Sequence, residues 1–132
     1  MIRIAPEVVD FQINTTGVEI GYSELDGLTI RLTVVKEDKV TAATICFPVV
    51  AEFECVGMNF YERHFGEMEI VNSSTEMVDS GFYKNLDRIS YAEKVKTYDP
   101  KQRFDLEEYY IPGNDSYLRV MASKYHVRID EA

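Results

Sequence analysis

"GLTIRLTVVKEDKVTAATICF", Gly27 to Phe47, decides the fold. Its first arm alternates, with Leu28, Ile30, Leu32 and Val34 on one side and Thr29, Arg31 and Thr33 on the other. A period of two is the signature of a strand with one buried face. "KEDK" is charged throughout and reads as the turn of a hairpin, and "VTAATICF" returns as a second strand rich in β-branched residues. The period extends upstream, where Val9, Phe11 and Ile13 alternate with Asp10, Gln12 and Asn14 before "TTG" (15–17), which reads as a turn. Downstream Pro48 interrupts, and a proline among strands belongs at an edge, a bulge or a bend. Beyond it Ala51, Phe53 and Cys55 share one face of a further strand and Glu52 and Glu54 the other. Gly57 suggests a bulge or a close backbone approach. "GEMEIV" repeats the pattern, with Met68 and Ile70 opposite Glu67 and Glu69, so these four glutamates are expected on a solvated sheet face.

The character changes at Asn72. "SSTE" (73–76) fits a capping box that opens a short helix reaching Val78 or Asp79, with Gly81 as its stop. Phe82, Leu86 and Ile89 form a partial helical stripe, and Asp99 before Pro100 places a loop there. "FDLEEYYIPGNDSYLRVMAS" (104–123) then reads as a β-hairpin about a Pro-Gly-Asn-Asp turn, and its imperfect alternation suggests a bulge. Glu107 and Glu108 are adjacent, so strand geometry sends them to opposite faces. The same holds for Tyr109 and Tyr110, which places one tyrosine at the surface. The expected fold is mainly β: an antiparallel sandwich or half-barrel, one domain over residues 1–132, with one or two short helices after residue 72.

A chain of 132 residues buries roughly two-thirds of its unfolded surface, so neither a metal nor a disulfide is needed for stability. Cys46 and Cys55 sit among apolar neighbours and are expected free and mostly buried, the alternative being a disulfide if the segment between them folds back as a hairpin. Without an apolar run of membrane-helix length or a signal-peptide pattern at the start, the expected location is cytoplasmic.

The net charge is −9 and unevenly placed: residues 1–83 carry 14 acids and 5 bases, residues 84–103 carry 3 acids and 6 bases, and residues 104–132 carry 6 acids and 3 bases. Such a surface repels phosphate backbones and anionic membranes and attracts a basic protein.

Chemistry-bearing motifs are thin. His64 and His126 stand apart from each other and from any metal-ligand spacing, and no P-loop, nucleophile elbow or dinucleotide fingerprint occurs. No metal or other cofactor is expected. Tyrosine is the unusual asset, with nine and no tryptophan. Most are expected to bury the ring and let the hydroxyl reach the edge of the core. A surface tyrosine among carboxylates suits recognition of Arg and Lys. The candidate partner-binding residues are therefore Glu52, Glu54, Glu67 and Glu69 on one sheet face, and Glu107, Glu108, Tyr109, Tyr110 and Asp115 at the hairpin.

"EEYYIPGNDSYLRVMAS", together with "EIVNSSTEMV" before it, resembles the C-terminal region of small bacterial immunity proteins that accompany polymorphic or contact-dependent toxins. The likeness covers about a third of the chain and rests on pattern. It implies a cytosolic, non-enzymatic protein that neutralises one cognate toxin, often a nuclease, and it transfers no binding residue. The expectation is an acidic binding protein that covers the active surface of a basic toxin domain. The alternative is a small-ligand β-sandwich or barrel, or a small enzyme without a recognisable motif. A third reading is an oligomeric accessory protein.

Overall fold

A computed structural model describes residues 2–57, 68–71, 81–112 and 117–130, giving the backbone alone for 14–17 and 112. The strands are β1 (Ile2–Pro6), β2 (Gln12–Ser23), β3 (Gly27–Lys36), β4 (Lys39–Phe47), β5 (Val50–Val56), β6 (Met68–Ile70), β7 (Tyr83–Asn85), β8 (Glu107–Pro112), β9 (Tyr117–Ala122) and β10 (His126–Asp130). A 3₁₀ turn, Arg88–Tyr91, leads into the helix α1, Ala92–Tyr98. Two sheets form, one in the order β5-β9-β8-β7-β1-β6 and one in the order β10-β4-β3-β2. Every pairing among the described strands is antiparallel except β1 with β6. The mainly-β, sandwich-like expectation is met.

The β3–β4 hairpin is the frame. Leu28, Ile30, Leu32 and Val34 are all in the core, facing Ile111, Leu118, Val120 and Ala122 of the other sheet in one cluster. The turn forms at Glu37 and Asp38, both at positive φ, where a two-residue primed turn matches the twist of the strands. Gly27, at φ 79°, starts β3, and a Cβ there would collide with the Phe47 carbonyl oxygen. Pro48 and Val49 carry the chain from β4 in the smaller sheet to β5 in the larger, so the proline marks a bend between layers.

Several expectations are corrected. "TTG" is not a turn: it lies inside β2, where the register to β3 shifts between Asn14 and Val18. A bulge relieves the strand without reversing it. The Phe82–Leu86–Ile89 stripe is not helical. Tyr83–Asn85 is a strand between β1 and β8, Phe82 enters the core, and Ile89 is 92% exposed. Pairing on both sides outweighs the weak local periodicity. The β8–β9 hairpin forms as expected but in unbroken register from Glu107↔Ala122 to Pro112↔Tyr117. The register shift on this sheet lies on the other side of β9, between Val50 and Glu52 of β5. Gly57 follows β5 with open space around it. The capping box, the Pro-Gly-Asn-Asp turn beyond Pro112, His64, Glu67 and Asp115 lie outside the described residues.

Candidate functional site

The outer face of the larger sheet holds a polar cluster centred on Arg119 of β9. Strand register places Glu54 of β5 and Tyr110 of β8 beside it, with Glu52 and Glu108 one step away opposite Met121. The guanidinium reaches Glu52 at 2.5 Å, Glu108 at 3.3 Å and Glu54 at 3.8 Å. Glu108 is buried and accepts from the Tyr110 hydroxyl and, at 3.1 Å, from Asn85 Nδ2. Asn85 also donates to Ser90 Oγ at 2.9 Å and accepts from the Asp87 amide at 2.8 Å, which ties β7 to the 3₁₀ turn. Glu52 accepts further from Lys94 Nζ at 2.8 Å and the Tyr98 hydroxyl at 2.7 Å, so α1 is fastened to β5. Lys94, then Arg119 and Tyr98, hold the Glu52 carboxyl down at about 2. Burial, then the Glu108 carboxylate, pushes the Tyr110 hydroxyl well above its ordinary range.

Of the candidates named from the sequence, this arrangement brings together Glu52, Glu54, Glu108 and Tyr110, and it fastens β5, β8 and β9 to one another. Each carboxylate is already bound by cations or hydroxyls of its own chain. A guanidinium fills the centre of the carboxylate group, where a bound cation would otherwise sit. Tyr109 and Tyr110 are 3% and 4% exposed, which corrects the expectation that one of them lies at the surface. The reason is that both sheet faces are covered at β8. Tyr110 packs outward with Ile4, Tyr83 and Tyr117, while Tyr109 packs inward against Phe47, Phe82 and Tyr125. The Tyr109 and Tyr125 hydroxyls donate to Glu107 and Glu7, each at 3.1 Å, which is the edge-of-core role expected for most tyrosines. Glu107 also pairs with Lys84 at 3.7 Å. Glu69 is exposed on β6.

One exposed apolar surface lies elsewhere, at the side where β2 and β5, the last described strands of their sheets, come together. Among the described strands, β2 ends the smaller sheet and β5 the larger. Ile20 and Tyr22 of β2 stand opposite Ile30 and Leu28, and Phe53 of β5 opposite Val120. These side chains point between the layers, but Tyr22 remains 55% and Phe53 37% exposed. Their rings pack against each other with centroids 5.8 Å apart, bridging the two edges. Leu25, at the β2–β3 turn, is 91% exposed between Glu24 and Asp26, both also exposed. The turn is held by the Asp26 amide donating to Ser23 Oγ at 3.0 Å. Cys55, on the same face of β5 as Phe53, is exposed, which corrects its expected burial; Cys46 is half-buried, and both thiols are free.

Sequence reasoning passed over Tyr22 and Leu25 and named Phe53 only for its strand face. The available signal was an aromatic and a leucine in "GYSELDG", a turn segment otherwise made of small and acidic residues.

Val49, Val50, Ala51, Tyr98, Phe104 and Leu106 line a depression of about 290 Å³. Its lining is apolar apart from Tyr98, whose hydroxyl is engaged with Glu52. No described helix is long and apolar enough to cross a membrane. No family model, curated protein or solved structure matches the chain.

Proposed function

We propose that this chain is a cytoplasmic, non-enzymatic binding protein of the immunity type, which neutralises a basic toxin domain by covering its active surface. The observation that carries the reading is the open side of the sandwich. The tilted Tyr22–Phe53 ring pair and Leu25 are exposed there, with Glu24 and Asp26 on either side of Leu25 in the turn. Aromatic anchors ringed by charge are the usual anatomy of a protein interface. The net charge of −9 steers a basic partner toward it. Ordered strands and a hydrogen-bonded turn carry these groups, so little conformational freedom is lost on docking. The basic stretch from Lys84 to Arg103 lies on a separate part of the chain, where Lys94 and Arg88 are committed to Glu52 and Asp105.

The test is co-expression with the product of the adjacent gene, followed by pull-down and growth measurement. Wild type restores growth and co-purifies, whereas a Tyr22→Ala/Phe53→Ala variant loses both. Full protection and co-purification by that variant, folded to the same helix and strand content, would overturn the assignment of this surface. Failure of the wild-type chain to bind or protect would overturn the immunity reading.

A further inference from the structure

We infer that the open side receives its partner by strand addition to β2, an inference that rests on the docking reading above and specifies its chemistry. An edge strand presents unpaired N–H and C=O groups, and soluble proteins usually guard such edges with lysine, proline or brevity. β2 carries no lysine or proline and is not short: "QINTTGVEIGYS" is 12 residues long with a single charge, Glu19, and its bulge is confined to Asn14–Val18. Its outer half, Val18 to Ser23, pairs with β3 in continuous register from Val18↔Leu32 to Ser23↔Gly27, so the edge that it leaves unpaired among the described strands is regular over six residues. Ile20 and Tyr22 point toward the layer interface but stay exposed, and a further strand alongside β2 would cover them.

The charge pattern chooses the occupant. Glu19, Glu24 and Asp26 surround this edge, and Arg31, 3.8 Å from Glu19, is shared with Asp130 at 3.3 Å. A second copy paired through β2 would set these acids near their own equivalents. A partner segment that alternates apolar residues with Lys or Arg fits instead: its apolar side chains cover Ile20 and Tyr22 while its cations meet Glu19 and the turn acids.

The probe is a capped synthetic peptide of alternating lysine and valine, about ten residues long, titrated into the ¹⁵N-labelled chain. Two N-methylated forms, each blocking one backbone edge of the peptide, serve as comparators. The alternating peptide should slow amide exchange at every second residue between Val18 and Ser23. N-methylation of one edge should weaken binding at least about tenfold while methylation of the other leaves it nearly unchanged. Ile20→Lys, at a position already exposed, should abolish binding without unfolding the chain. Equal binding by both methylated forms, protection confined to β5, or no binding by the parent peptide would overturn strand addition. Toxin binding and growth protection that depend on Tyr22 and Phe53 would then still uphold the docking reading. Concentration-dependent protection of the β2 amides in the chain alone would assign the edge to self-pairing and overturn the inference.

Discussion

Arg119 is the residue on which most of the outer-face polar chemistry converges, because it sits between a buried glutamate and two at the sheet edge. Removing one partner of a buried ion pair leaves the other charge uncompensated, at a cost of about 3–5 kcal/mol. Arg119→Met should destabilise the fold by that order in chemical denaturation, and adding Glu108→Gln should recover part of the loss. Glu52 supplies a pH signature. Its carboxyl is held at about 2 in the folded chain against an ordinary 4.5. Its stabilisation is therefore complete above about pH 4.5 and is lost as pH falls toward 2. Glu52→Gln should flatten the acid limb of the stability profile in that window; an unchanged limb would show that other carboxylates govern it. Strand alternation made it legible that Glu107 and Glu108 part company. That the Glu108 side is roofed was not, because the cover comes from residues far away in sequence, Asn85 and the 3₁₀ turn among them.

At the scale of elements, the β3–β4 hairpin was legible because pattern, propensity and turn agree. Its turn residues are still not the best for their conformation. Glu37 and Asp38 hold φ of 53° and 63°, so Glu37→Asn with Asp38→Gly should raise stability by about 0.5–1 kcal/mol, read as an increase in Tm. Gly27→Ala should do the opposite, by roughly 1 kcal/mol or more, since positive φ and the Phe47 carbonyl both exclude a Cβ. The elements that were misread share one cause: tertiary pairing decided them. Phe82, Leu86 and Ile89 have helical spacing, but Lys84 lies opposite Tyr109 and Ala5, which makes this segment a central strand. "TTG" has turn composition, but β3 continues past it and imposes a bulge in place of a reversal.

At the scale of the whole molecule, two sheets share one core, and among the described residues the side where β2 and β5 end their sheets exposes Tyr22 and Phe53. Charge and β-class were readable from the sequence. The placement of the exposed aromatic was not, because nothing local reveals that Tyr22 and Phe53 fall on the terminal strands of different sheets. Cys55 offers a reporter: maleimide should label it quickly in the native chain and Cys46 more slowly, and a bound partner should protect Cys55. The most direct measurement is backbone hydrogen exchange of the chain alone and saturated with the product of the adjacent gene. New protection should concentrate in residues 18–28 and 50–56. Protection confined to the basic stretch 84–103, with the β2 and β5 edges exchanging as in the free chain, would contradict the account.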